Sequence, residues 1–258
     1  MIADLDSREL LELVHSGELD ELTALQVLRS PFCTPQIAEL IASDRRLLDP
    51  HGVRELLAGF PGFNFSQAVD LLATLPWGSL LAVSQAPRTP PVVRRHAERK
   101  LLAQLPAMVL GERIALARRA HRALFRALTA SGDPQVLIAL LNNPRLVEND
   151  ILVIVNTAEA PPEFLIELAR HPRWGSYREV RRALVESRQS PLPLALSMLV
   201  QLAPWELRNL LGRRGLSDDI RAAAKSLLDR EARGLRGVLH SESENGDGGA
   251  AQPPEDLR

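Results

Sequence analysis

The residues of this 258-residue chain that could do covalent chemistry are few and scattered. It has one cysteine, Cys33, and six histidines. No G-x-S-x-G, G-x-x-x-x-G-K-[ST], H-E-x-x-H or G-x-G-x-x-G motif occurs in it. One thiol cannot build a cysteine-ligated zinc or iron–sulfur site, and Cys33 is predicted to be a small core residue rather than a nucleophile. We therefore predict no catalytic residue and no cofactor.

The best metal-like pattern is Glu163, Glu167 and His171, spaced by four residues along one predicted helix face. Two carboxylates and an imidazole could hold a divalent ion. The alternative is a solvated helix face, because the helix dipole favours acid near the N-terminus and histidine near the C-terminus. We favour the solvated face and predict no metal site.

One segment, residues 88–126, carries a net charge of +8 in a chain whose total is -1. Its arginines form a candidate partner-binding patch on two successive predicted helices: Arg94, Arg95 and Arg99 on the first, and Arg118, Arg119, Arg122 and Arg126 on the second. The second helix is predicted to bury an opposing stripe of Leu116, Ala120, Leu124 and Leu128. Such a row could bind phosphates or carboxylates bidentately, or it could be a solvated face paired with acidic neighbours.

Aromatic residues supply a second candidate site. Trp174, Tyr177 and Arg178 lie together in a predicted turn, and they would form a peptide-binding hot spot if exposed, since interfaces favour these residue types. Trp77 and Trp205 each follow a proline at a predicted helix start, and we expect them to pack within helical hairpins.

Nineteen prolines recur in a pattern rather than at random. Apolar helical runs end at Pro31, Pro61, Pro87, Pro144 and Pro172, and at Gly215 the same pattern carries glycine. The steps are 30, 26, 57 and 28 residues, and 57 is about two units of 28. A period near 28 is typical of stacked supersecondary units. Pro134 and Pro162, ten residues before two of these turns, are predicted to begin helices.

Each unit is therefore predicted to be two amphipathic helices joined by a proline-containing turn. One such hairpin cannot bury its apolar face alone, so the units must stack into an α-solenoid. The run Ile151–Val155, in which four of five residues are β-branched, could also be a strand, but its register favours helix. We predict an all-α repeat domain over residues 1–236.

Residues 237–258 are rich in glycine, serine, proline and acid, and we predict a disordered tail. This acidic tail could also cover the basic segment 88–126. The first residues alternate acid with apolar side chains, which does not match a secretory signal, so we expect a cytoplasmic, bacterial-type protein. No apolar run is long enough to suggest a membrane span.

Residues 177–193, YREVRRALVESRQSPLP, resemble the leucine-rich repeat variant and related HEAT-like repeats, which have the pattern E-V-R-R-A-L-A-x-N-P-x-T-P-x-x-L. Segments 88–95 and 219–224 resemble it more faintly. The resemblance implies a right-handed α-solenoid that offers a curved surface to a partner. Some variant-repeat proteins carry a cysteine-ligated iron–sulfur module, which Cys33 alone cannot supply here.

These observations favour a non-enzymatic scaffold that binds a protein or peptide on its curved helical surface. The alternative is a HEAT-like nucleic-acid-binding protein that uses segment 88–126 and is similar to the helical-repeat DNA glycosylases. Against nucleic acid stand the pI near 6.6, the two lysines and the scarcity of aromatics among the arginines.

Overall fold

The computed structural model of the chain describes residues 2, 5–157 and 160–244, with side chains described as far as Arg233. These residues form 17 α-helices and one short 3-10 turn, and they contain no β-strand. The predicted all-α class is confirmed. The run Ile151–Val155 lies in a helix, as its register indicated.

The chain divides into two compact units. The first comprises residues 1–131 together with 142–145. Its helices are α1 (Ser7–His15), α2 (Glu21–Arg29), α3 (Pro35–Ser43), α4 (Arg45–Leu48), α5 (His51–Ala58), α6 (Phe65–Thr74), α7 (Trp77–Gln85), α8 (Pro91–Gln104), α9 (Leu110–Arg119) and α10 (Arg122–Thr129).

The second unit comprises residues 132–141 and 146–258. Its helices are α11 (Pro134–Leu141), α12 (Glu148–Val155), α13 (Pro162–Arg170), α14 (Arg178–Glu186), α15 (Leu192–Leu199), α16 (Pro204–Leu211) and α17 (Asp218–Glu244). Helix α17 continues past residue 236, where we predicted the tail to begin. The rest of that predicted tail, residues 245–258, lies outside the described residues.

Prolines punctuate the helices as the sequence predicts. Those that mark the repeat, and Gly215, all lie in turns between helices. Pro134 and Pro162 are the first residues of α11 and α13. The N–H of a first helical residue makes no hydrogen bond within the helix, so its absence in proline costs nothing there. Gly215 has φ of 91°, a left-handed conformation that disfavours any side chain, so glycine replaces proline there.

Helices pack against their hairpin partners and against the helix two or three places along the chain. In the first unit α5 pairs with α6 and α7 with α8, while α5 lies between α2 and α7. In the second unit α14 pairs with α15, and α11 lies beside α13. The faces between them are apolar: Val136, Leu137 and Leu140 of α11 are almost fully buried, as is Trp174 in the turn after α13.

Turns also pack on the C-terminal ends of earlier helices, where carbonyl groups lack intrahelical donors. The buried Asn143 donates from Nδ2 to the carbonyls of Ala117 and Ala120 at the end of α9, at 2.7 and 2.9 Å. Trp174 donates from Nε1 to the carbonyl of Leu141 at the end of α11, at 2.9 Å. Side chains in the turns therefore satisfy backbone groups of neighbouring helices.

The predicted helix that carried Arg118, Arg122 and Arg126 is interrupted. Ala120 and His121 have extended backbone, with ψ of 148° and 164°, and they separate α9 from α10. A step of 28 residues from Pro87 places the missing turn at residue 115, which lies inside α9, so the period does not locate this turn. The apolar stripe Leu116, Ala120, Leu124 and Leu128 is nevertheless buried.

Candidate functional site

A polar cavity in the first unit collects the densest basic charge of any described cavity. It measures about 420 Å³, and we call it the basic pocket. Its lining comes from the end of α7, the beginning of α8 and the turns after α9 and α11: Ser84, Gln85, Pro91, Arg94, Arg95, Glu98, His121 and Arg145.

Two of these side chains are fixed by one backbone carbonyl. The carbonyl of Arg119, the last residue of α9, accepts hydrogen bonds from Gln85 Nε2 at 2.8 Å and from Arg145 Nη1 at 3.1 Å. Helix ends leave such carbonyls without intrahelical donors. The end of α9 therefore orients a guanidinium that belongs to a turn 26 residues later in the chain.

His121 is held at the base of the pocket by Ser84. Its Nε2 lies 3.3 Å from Ser84 Oγ, and that hydroxyl donates to the carbonyl of Leu81 at 2.7 Å. Because the hydroxyl has only one proton, Nε2–H of the imidazole must be the donor in the His121–Ser84 contact. Burial lowers the pKa of His121, Glu98 opposes this effect and Arg145 adds to it, so the imidazole is neutral at pH 7.

Two helices begin at this pocket. Pro91, the first residue of α8, and His121, the residue before α10, both line it. No described side chain caps the first turn of either helix. Helix N-termini carry a partial positive charge that favours anions. Arg94, at the first turn of α8, adds a buried Nε–H that has no hydrogen-bond partner.

A second cavity of the first unit, about 410 Å³, is mainly apolar, and we call it the apolar groove. It lies at the C-terminal ends of α2, α5 and α7 and includes all three of their proline-containing turns, with Pro31, Pro61 and Pro87. The remaining lining is Leu28, Arg29, Ser30, Cys33, Pro35, Glu55, Leu56, Gly59, Phe60, Ala82, Val83, Ala86, Arg88 and Thr89.

Cys33 in this groove is half-buried, and burial raises the pKa of its thiol to about 11. A thiol with that pKa is protonated at pH 7 and is a weak nucleophile. Cys33 lines the groove and is not part of the fully buried core where we predicted it. Gly59 is also required here, because a Cβ at that position would lie 2.6 Å from Thr89 Oγ1.

The groove and the pocket meet at the end of α7. Ala82, Val83 and Ala86 line the apolar groove, while Ser84 and Gln85 between them line the basic pocket. Alternating residues of one helix end thus face two cavities of opposite character within the first unit.

The predicted basic patch is only partly assembled. Arg94 and Arg95 line the basic pocket, whereas Arg99, Arg118, Arg122 and Arg126 are exposed residues outside its lining. Arg119 contributes only its carbonyl. Sequence reasoning missed Arg145 and His121; the signal that could have found Arg145 is its place directly after the turn marker Pro144.

The predicted aromatic hot spot is not assembled at the surface. Trp174 has no exposed surface and Tyr177 is half-buried against it, with ring centroids 5.3 Å apart. A tryptophan belongs to this buried position because its ring fills the core while its N–H reaches the Leu141 carbonyl. The exposed ring nearby is Trp205, 45% exposed, with the guanidinium of Arg178 stacked 4.5 Å from its centroid.

Arg178 also belongs to a chain of alternating charges that we call the ion network. It consists of Glu206, Arg178, Glu179, Arg182, Glu186 and Arg213, with successive N–O distances of 2.6 to 3.7 Å. Arg178 Nε and Glu206 Oε1 lie 3.0 Å apart, an ion pair whose direction falls outside hydrogen-bond geometry. The other oxygen, Glu206 Oε2, accepts from the Ala203 N–H at 2.8 Å.

The metal-like pattern does not share one helix face. Helix α13 ends at Arg170, and His171 beyond it accepts from the N–H groups of Arg173 and Trp174. Glu167 is paired with Arg170 at 3.3 Å. No group of three candidate metal ligands occurs among the residues that the structure describes.

No family model, no curated protein and no solved structure matches this chain. In the described part of the chain, no helix has both the length and the apolar character needed to cross a bilayer.

Proposed function

We propose that this chain is a non-enzymatic peptide-binding module, built as a right-handed α-solenoid of HEAT-like helix pairs. Its binding surface is the apolar groove together with the adjoining basic pocket. The observation that carries the proposal is that the turns marked by Pro31, Pro61 and Pro87 converge on one groove. The same sequence feature that repeats along the chain therefore builds the binding surface.

The groove has the dimensions and chemistry of a ligand site. Its volume of about 410 Å³ lies within the range of roughly 300–1,000 Å³ that is usual for such sites. Leu56, Phe60 and Val83 supply apolar contacts, and prolines offer rigid surface that loses little entropy on binding. An apolar peptide segment of a few residues fits this description.

Charge complementarity defines the rest of the ligand. The basic pocket begins at Ser84 and Gln85, between groove residues of the same helix end. A peptide whose apolar segment fills the groove would place its flanking residues at the pocket, where acidic groups meet Arg94, Arg95 and Arg145. The proposed ligand is thus an apolar peptide segment with an acidic flank.

The experiment is selection of displayed peptides on the full chain. We expect enrichment of apolar segments flanked by acid, and loss of their binding in Ala82→Lys, which places a charged side chain in the groove. Ser79→Lys is the matched control, because Ser79 lies one turn earlier on α7, is equally half-buried and does not line the groove.

Three outcomes would overturn the proposal. The first is the absence of any enriched motif, and the second is equal binding of enriched peptides to Ala82→Lys and wild type. The third is duplex-DNA binding with a steep salt dependence, which would favour the nucleic-acid alternative.

A further inference from the structure

We infer that the basic pocket is a binding site for a phosphate monoester dianion, the group that a phosphorylated serine or threonine of the bound peptide would carry. This inference rests on the proposed function and names the chemistry of the acidic flank.

The charge of the pocket matches a dianion. Three guanidiniums, of Arg94, Arg95 and Arg145, face the single carboxylate of Glu98, which leaves two positive charges while His121 is neutral. A phosphate monoester carries about -1.5 to -2 at pH 7 and three strong acceptor oxygens. A carboxylate carries one charge, and a phosphodiester carries one charge with two terminal oxygens.

The donors are already positioned. Arg145 uses Nη1 to bind the carbonyl of Arg119, which fixes its planar guanidinium at the edge of the pocket. Guanidinium groups present several N–H donors in a rigid fork that matches phosphate oxygens. Gln85 donates to the same carbonyl, so two side chains of the pocket are attached to the end of α9.

Arg94 lines the pocket at the first turn of α8. Its Nε is buried and has no hydrogen-bond partner, and a buried donor without an acceptor costs free energy. An oxyanion in the pocket would supply that acceptor if the Arg94 side chain turned its Nε–H toward the cavity. The uncapped beginnings of α8 and α10 add positive potential at the same place.

The test follows the Arg94 Nε–H resonance by ¹H–¹⁵N NMR of the full chain, assigned by its loss in Arg94→Gln. Three probes are titrated: inorganic phosphate, O-phosphoserine and dimethyl phosphate. We expect saturable shifts of this resonance with the first two and none with dimethyl phosphate, which is a monoanionic diester. Raising the salt concentration should weaken binding, because the pocket is open to solvent.

Variants then locate the site. Arg145→Gln should weaken phosphoserine binding by about ten- to a hundredfold, the usual effect of losing a hydrogen bond to a charged group. Arg99→Gln is the matched control, since Arg99 is exposed on the same helix as Arg94 and lies outside the pocket. Equal loss in Arg99→Gln would show diffuse attraction to the helix, and would overturn the inference.

Failure of this inference is distinguishable from failure of the proposed function. If selected unphosphorylated peptides bind wild type but not Ala82→Lys, while phosphate and phosphoserine leave the Arg94 resonance unchanged, the groove binds peptides and the phosphate site is wrong. Shifts that are as large with dimethyl phosphate as with phosphate would also overturn the inference.

Discussion

The arginines of the basic pocket in the first unit and those of the ion network in the second unit meet different numbers of carboxylates. In the basic pocket of the first unit, three guanidiniums share one carboxylate, and the Nε of Arg94 is buried without a partner. In the ion network of the second unit, Arg178, Arg182 and Arg213 alternate with three glutamates, so the charges cancel within the chain.

The difference teaches that a local count of arginines does not identify a binding site. What matters is whether the fold supplies carboxylates to them. In the ion network the glutamates come from α14 and α16, whose side chains are joined by the Arg178–Glu206 ion pair. In the basic pocket the neighbours are a serine, a glutamine, a neutral histidine and one carboxylate, so positive charge remains for a ligand.

The contrast between the two units would be wrong if the second unit bound the peptide. Substitutions of Trp174 test this possibility, because they separate a role in the core from a role in binding. Trp174→Ala should lower the free energy of unfolding by about 3–5 kcal/mol, as large-to-small substitutions of buried aromatics do. Trp174→Phe keeps most of the ring but removes the donor to Leu141, and should cost about 1–3 kcal/mol. Chemical denaturation measures both. Unchanged stability with loss of peptide binding would restore Trp174 as an interface residue.

Substitution of Glu206 in the ion network should have an intermediate effect on the free energy of unfolding. Its carboxylate is 5% exposed, pairs with Arg178 and accepts from the Ala203 N–H at the start of α16. Glu206→Ala should therefore cost about 2 kcal/mol, combining a helix cap with a partly exposed ion pair. Glu206→Gln, which keeps an acceptor, should cost about half as much.

The matched substitution in the first unit is Arg94→Gln. Because no carboxylate depends on this guanidinium as Glu206 depends on Arg178, the free energy of unfolding should change by less than about 0.5 kcal/mol. A loss as large as that of Glu206→Ala would show that the basic pocket is structural, and would erase the distinction between the units.

Much of the fold followed from residues whose physical effect is local. Proline in the turns and at helix starts acts on its own backbone and neighbours, so Pro134 and Pro162 could be placed correctly from the sequence alone. The turn at Ala120–His121 could not, because nothing in those side chains forbids a helix. That turn is stabilised by Asn143, whose amide binds the Ala117 and Ala120 carbonyls from 23 to 26 residues away.

The candidate site depended still more on distant neighbours. Arg94 and Arg95 were found because charge clusters are visible along the chain. Arg145 was missed because its role comes from the Arg119 carbonyl, to which the turn after α11 folds back. Trp174 was misplaced because turn residues with aromatic and basic character look like an interface, and nothing in the local sequence shows that its Nε1–H donates to the Leu141 carbonyl.

The smallest expected effect concerns two histidines whose pKa values burial lowers below the ordinary 6.5, His121 in the basic pocket and His171 in the second unit. For His171 the guanidinium of Arg173 adds to the effect, and protonation would also abolish the acceptor at Nδ1 for two backbone N–H groups. A lowered folded-state pKa means that the unfolded chain binds the proton more readily. The contribution of these two histidines to stability should therefore be constant well above pH 6.5, and should be lost as the pH falls through 6.5 toward the lowered pKa values.

The two histidines can be separated by substitution and by a ligand. His121→Gln keeps a donor toward Ser84, and His171→Asn keeps an acceptor for the turn, so each should remove its own part of the acid-dependent loss measured by denaturation at a series of pH values.

Adding sulfate, whose charge is constant over this range, should raise the pKa of His121 and reduce its contribution to that loss, because an anion in the pocket favours the imidazolium. The contribution of His171, which lies outside the basic pocket, should not change beyond what chloride at equal ionic strength produces. A sulfate effect that is the same at both histidines would mean that the anion acts by general screening, and that the basic pocket holds no specific oxyanion.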